Sequence, residues 1–402
     1  MRTATVTWPR RRSVLALVVA LLSAVAGLSM TGTAAEAGSH DGSFYEPPSP
    51  LPHGEPGDLI RAEPTAFGYD PTVSARRILY RSTTATGAPT AVSGIVLVPR
   101  SPWTAGRRPI VGYAVGTHGM GDQCAPSKWM ARGSDPEATL VKNLLNRGFA
   151  VAVTDYQGLG TPGDHHYAVG RSLGRSVLDS LRAATRLADA KLDPTAPMAI
   201  TGYSEGGAAA GWAAQLQPSY APELPLRGVA AGGVPADLPK VRAHLDGGPY
   251  VGFVLAAGIG FKAAYPELPL TEYLTEEGRR YAADIADDCR EELVAKTAFR
   301  RMSDYTTTNI DERPAWRVRL AENNLGGTAP PMPLFLYHAE RDQLIPYSVG
   351  RDLRLAWCAR GANVQWKTYR FSSHSGAAGE AAPEVANWLQ ARLLGLPASD
   401  NC

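Results

Sequence analysis

The stretch from Pro197 to Ala210, PMAITGYSEGGAAA, places the tightest constraint on what this chain can become. Small and apolar residues, Ala199 and Ile200 among them, lead into Gly202-Tyr203-Ser204-Glu205-Gly206, and a small-residue helical pattern follows. The order is strand, tight turn, helix, with a serine at the apex. Such a turn is crowded, so glycine flanks the serine, whose Oγ then stands exposed above a helix N-terminus. The pentapeptide alone is a weak signal. Glycine fills 41 of 402 positions, and Gly170-Arg171-Ser172-Leu173-Gly174 repeats the pattern. Context separates the two. Ser172 follows Thr161-Pro162-Gly163-Asp164-His165-His166, a loop-like stretch, and reads as a helix-entry or turn residue. Ser204 follows an apolar strand, and Gly207, Ala208 and Ala209 let the next helix pack close.

Strands and helices alternate around this turn. Gly38 to Gly57 is a lead-in rich in Pro, Gly and Ser. Arg76 to Tyr80 and Ser93 to Val98 read as strands joined through Thr84-Ala85-Thr86-Gly87. Ile110 to Val115 is a third strand and ends in Gly116-Thr117-His118-Gly119. Helical spacing at Leu140 to Leu145 and Ser176 to Ala190 alternates with strands at Phe149 to Val153 and Leu226 to Val229. From residue 110 onward this means βαβ units and a mostly parallel sheet. From about Leu238 to Thr328 helix-like stretches take over, and Thr271 to Phe299 is long, charged and periodic. Strands resume at Leu334 to Tyr337 and Val364 to Tyr369, with a C-terminal helix from Pro383 to Leu394. The expected organisation is a core in residues 38–237 and 329–402, with a helical cap inserted at 238–328.

The N-terminus reads as an export signal. Arg10-Arg11-Arg12 precede an apolar run from Val14 to Met30, and Ala35-Glu36-Ala37 offers a cleavage site before Gly38. Arg11-Arg12-Ser13-Val14-Leu15 also fits a loose twin-arginine pattern, so either the general or the twin-arginine route would serve. Cleavage takes four arginines and one glutamate from 40 basic and 38 acidic side chains, which leaves a net charge of −1. That balance carries no electrostatic footprint for nucleic acid. Cys124, Cys289, Cys358 and Cys402 remain. An even number in an exported chain points to two disulfides, with three connectivities open. No two cysteines are spaced as a C-x-x-C metal pair.

A serine hydroxyl needs a base, and the base needs an acid to fix its tautomer and balance its charge. In an α/β-hydrolase fold the chain order is Ser, Asp or Glu, then His. Three histidines follow Ser204. His244 stands at the cap edge, His338 directly after an apolar strand, and His374 in a Ser/Gly loop after the last strand. Asp342 sits at a strand end one unit before the base, with Glu340 as the lesser alternative, and only His374 follows it. The set is therefore Ser204, Asp342 and His374. His338 reads as structural. The oxyanion formed on attack needs preorganised donors. One is the backbone N–H of Glu205, whose carboxylate is not expected to matter. The other comes from Thr117 to Gly119, with Thr117 favoured and His118 an ordinary loop histidine.

Together, Gly116-Thr117-His118-Gly119 before Cys124-Ala125-Pro126-Ser127, then Asp155-Tyr156-Gln157-Gly158-Leu159-Gly160, then Gly202-Tyr203-Ser204-Glu205-Gly206-Gly207, resemble the secretory lipase family of actinobacteria and yeasts, from about Pro56 to the C-terminus. The oxyanion loop departs from that pattern at His118 and Met120-Gly121. The resemblance implies hydrolysis of triacylglycerols and other carboxylic esters, a helical cap over the acyl site, and neither metal nor cofactor. It implies Ser204, Asp342 and His374 as the reacting set and the pairings Cys124–Cys289 and Cys358–Cys402. The first pairing would staple the cap to the body. An acyl ester or lipid is then the partner, with transient contact at a lipid interface. The cap stretch Gly248 to Phe261 is apolar and Gly-rich, and fits an acyl groove or a packed core helix equally. A serine peptidase, an acyltransferase and a catalytically dead binding fold are the competing readings.

Overall fold

A nine-stranded sheet, in the order β1-β2-β3-β5-β4-β6-β7-β8-β9, organises the computed structural model, which describes residues 44–402. The expected export signal, residues 1–37, lies outside the described residues. The strands are β1 Leu59–Thr65, β2 Val73–Thr83, β3 Pro89–Pro99, β4 Ile110–Ala114, β5 Ala150–Tyr156, β6 Met198–Tyr203, β7 Leu226–Gly232, β8 Leu334–Ala339 and β9 Val364–Tyr369. The pairs β1–β2, β2–β3 and β3–β5 are antiparallel. From β5 through β4, β6, β7 and β8 to β9 every pair is parallel. Parallel strands are buried on both faces, and β4, β5, β6 and β8 are buried along their whole length. β1 escaped the sequence reading because Arg61 and Pro64 interrupt its pattern; an edge strand tolerates both.

Chain order reverses at β4. The chain steps from β4 to β5 on one side, then to β6 on the other. In an open α/β sheet the crevice beyond the carboxyl ends of such strands is where ligands bind. The helices Gly170–Arg186 and Glu205–Tyr220 pack on each other and on the central strands. The helix His374–Leu393 packs on β6, β7, β8 and the helix Ala138–Leu145.

Between β7 and β8 the chain is helical. Its longer pieces are Leu238–Leu245, Gly252–Ala264, Glu276–Ile285, Arg290–Thr297 and Pro314–Glu322. The periodic stretch Thr271 to Phe299 is not one helix. It breaks where Leu274 pairs with Thr306 and the Thr275 hydroxyl caps Gly278 N, and again at Cys289, which bridges Gly119. Two disulfides form among the described residues, Cys124–Cys289 and Cys358–Cys402, and none of the four cysteines is free. The C-terminal helix begins at His374 rather than at Pro383. Ser373 caps it through Gly376 N at 3.2 Å, so the Ser/Gly run is a helix entry and not a loop.

Candidate active site

Ser204 occupies the turn between β6 and the helix Glu205–Tyr220 with φ +60° and ψ −121°, a region closed to most side chains. Its amide is held by Gly232 O at 2.9 Å, and Ala208 N reaches back to Ser204 O at 3.0 Å. The flanking glycines are obligatory. A Cβ at Gly202 would stand 2.2 Å from Gly206 O, and one at Gly206 would stand 2.0 Å from Ala114 O. Ser172, in the competing pentapeptide, lies inside the helix Gly170–Arg186. It is buried, and its Oγ is engaged with Gln157 and His166.

Asp342 follows β8 and His374 follows β9. His374 Nδ1–H donates to Asp342 Oδ2 at 2.7 Å, and Asp342 Oδ1 accepts from Leu344 N at 2.9 Å and Ile345 N at 2.8 Å. Burial works to raise the Asp342 pKa, but hydrogen bonds and charge from His338 and His374 outweigh it and hold the carboxyl well below the usual carboxylate range. With Nδ1 protonated, neutral His374 keeps its lone pair on Nε2. The ring lies 4.9 Å from that of Tyr203 and against Gly233, where an added Cβ would come within 3.1 Å of His374 Cε1. His374 therefore rests on the same β7 turn that holds the Ser204 amide. Glu340 is exposed. His338 is buried, 3.0 Å from Ile345 O and 3.4 Å from Asp342 Oδ2, a structural brace. His244 lies in the helix Leu238–Leu245, 3.3 Å from Gln343 O.

The loop after β4 is clamped from below. Glu137 accepts from Gly116 N at 2.9 Å and Tyr113 OH at 2.8 Å. His118, read from sequence as an ordinary loop residue, is instead fully buried, with Nε2 3.1 Å from Asp135 Oδ2 and Nδ1 2.8 Å from Gly116 O. Burial works to lower its pKa, but the hydrogen bond and charge of Asp135, with Glu137 and Gly116 O, push it up to about 9. Above, Met120 N donates to Asp288 O at 2.8 Å and Arg290 N to His118 O at 2.9 Å, beside the Cys124–Cys289 disulfide. The amides of Thr117 and Glu205 have no protein acceptor among the described residues.

Ser204, Glu205 and Thr117 line one cavity together with Trp212, Leu238, Phe253, Phe261 and Leu344. Both sequence readings of Gly248 to Phe261 meet here. The helix Gly252–Ala264 packs as core through Ala256, Ile259 and Ala264 and lines the cavity with Phe253, Val254, Leu255, Ala257, Gly258 and Phe261. Glu205 holds a surprise. Its carboxylate is buried 3.0 Å from His165 Nε2. His165 sits in the loop-like stretch Thr161 to His166, and no local pattern ties it to position 205.

A family model described as Secretory lipase matches residues 126–401. The chain belongs to the secretory lipase family. It is 30% identical over 346 residues to the secreted triacylglycerol lipase LIP1 of Malassezia furfur, spanning 81% of this chain and 70% of that one. To the probable inactive lipase MT1628 of Mycobacterium tuberculosis it is 28% identical over 381 residues, 90% of this chain and 84% of that one. Candida antarctica lipase A in its closed state superposes with TM-score 0.82 at 24% identity, covering 89% and 87% of the two chains. The rice cell wall degrading esterase LipA of Xanthomonas oryzae gives 0.71 at 21%, covering 85% and 99%. These structures establish the secretory lipase chain as an α/β-hydrolase fold.

Proposed function

We propose that this chain is an exported triacylglycerol lipase acting through Ser204, His374 and Asp342. As a member of its family it is a carboxylic ester hydrolase; the proposal concerns the residues, the lipid and the compartment. In the mechanism, Ser204 Oγ attacks the ester carbonyl carbon while His374 Nε2 takes its proton, and Asp342 balances the imidazolium. The carbonyl oxygen becomes an oxyanion that accepts from the amides of Glu205 and Thr117, each worth ~10²–10³ in turnover. Collapse expels the alcohol with the His374 proton and leaves an acyl-enzyme on Ser204. Water, deprotonated by the same histidine, then releases the acid and restores Ser204.

The observation that carries this reading is Ser204, at φ +60° on the wall of an apolar cavity, with a 2.7 Å Asp342–His374 pair on neighbouring strand ends. The apolar lining favours an acyl chain, at ~0.8 kcal/mol per buried methylene. We read residues 238–328 as the cap over this cavity, where the helix Gly252–Ala264 supplies much of the wall. Export fits two disulfides without a free cysteine among the described residues. One relative is named an inactive lipase, so it is the complete residue set rather than kinship that argues for turnover. Ser204→Ala should abolish p-nitrophenyl ester hydrolysis, and rates on emulsified triglycerides of rising chain length should exceed those on short soluble esters. Retained hydrolysis in the variant, or a preference for short soluble esters, would overturn the residue or the lipid assignment respectively.

A further inference from the structure

We infer that the loop of residues 157–167 is the positioning element of the oxyanion hole, with His165 setting the Glu205 donor and Tyr167 the Thr117 donor. The inference rests on the Ser204 mechanism proposed above. His165 Nδ1 faces Gln157 O at 3.0 Å, and a carbonyl only accepts, so Nδ1 carries a proton. Nε2 faces Glu205 Oε1 at 3.0 Å, and that contact also needs a proton, on the ring or on the carboxyl. Both side chains are buried, which makes this a strong and directional tether on the first residue of the nucleophile helix. From the same loop Tyr167 OH meets Thr117 Oγ1 at 3.1 Å. One segment therefore grips both proposed donors, which come from the ends of two different strands.

The loop is built to hold its shape. Tyr156 and Ala168 bracket it at φ +69° and +61°, conformations that persist only when surrounding contacts impose them. His166 N closes onto Gln157 O at 3.1 Å. The His165 ring stacks on that of Tyr156, whose hydroxyl donates to Val115 O at 2.9 Å, just ahead of Gly116. The helix Gly252–Ala264 presses on the loop from above. A Cβ at Gly260 would meet Tyr167 N and O at 2.5 Å. His165 does not line the cavity and so acts only through Glu205.

The test compares His165→Ala and His165→Gln in the mature protein, with active sites counted by fluorophosphonate titration. His165→Ala should lower kcat on a soluble p-nitrophenyl ester about 10- to 100-fold, short of losing a whole donor, with KM within about threefold. A trifluoromethyl ketone, which adds to Ser204 and presents an oxyanion, should weaken in the same proportion. Gln carries an N–H where His carries Nε2, so His165→Gln should recover most of the loss. Tyr167→Phe keeps the ring, and thus the fold, and should lower kcat and ketone affinity together by about three- to tenfold. The inference is overturned if these variants lose only thermal stability, if KM rises while kcat per titrated site is unchanged, or if Gln is no better than Ala. An unlabelled, inactive wild type would instead remove the mechanism on which it rests.

Discussion

Asp342 is the residue whose surroundings say most about its task. Two backbone amides occupy Oδ1, and His374 and His338 share Oδ2, so an anion is stabilised where burial alone would favour the acid. Asp342→Asn puts an amide where the carboxylate stood, and His374 then loses the acceptor that fixes Nδ1–H. We expect kcat to fall by about 10⁴ with the fold intact, as wrong-tautomer variants do; circular dichroism alongside ester kinetics checks both halves. The strand-end positions of Ser204, Asp342 and His374 and the pairing of the last two are legible in sequence, because the proposed attack on an ester demands those types in a fixed chain order at strand ends. His165 was not legible. Its contact with Glu205 spans 40 positions, and neither residue carries a local signature of the other.

At the scale of elements, the loop after β4 depends on a buried charge. His118 has its pKa pushed up to about 9, from about 6.5 when unfolded. A raised folded-state value means the stabilisation is complete below about pH 6.5 and is lost as pH rises toward 9. Thermal scans from pH 6 to 9 should show the wild type losing up to about 3 kcal/mol relative to His118→Gln, whose profile lacks this component. A constant difference between the two would sink this account of the loop. The element readings that missed share one cause. Thr271 to Phe299 has helical periodicity, but capping by Thr275 and the bridge at Cys289 cut it. The Ser/Gly run at His374 has loop composition, but Ser373 makes it a helix start. Composition reports propensity, and single hydrogen bonds at helix ends decide boundaries.

Across the whole molecule, the parallel strands and their helices were readable from alternation alone, since burial on both faces writes continuous apolar runs. The hydrogen bonds between the sheet body and the helices after β7, Met120 N to Asp288 O and Arg290 N to His118 O, were not, because they join distant segments, and the disulfide beside them followed only from the family resemblance. Cys124–Cys289 closes a separation of 165 residues beside the loop after β4, next to the Gly119–Cys289 bridge. Chain entropy assigns such a crosslink about 5 kcal/mol, or a drop of about 7 °C in Tm on its removal. Cys124→Ser with Cys289→Ser should show that drop and also lower kcat, whereas the Cys358–Cys402 pair, far along the chain at the C-terminus, should affect Tm alone. Equal kinetic effects from both removals would contradict a special role for the first.

The central claim is that Ser204 is the reacting nucleophile. Peptide mapping after fluorophosphonate treatment tests it most directly, with ester hydrolysis followed in parallel. The account predicts one adduct, on Ser204, formed in step with the loss of activity and absent from Ser204→Ala. An adduct on Ser172, or hydrolysis that survives full labelling of Ser204, would contradict it.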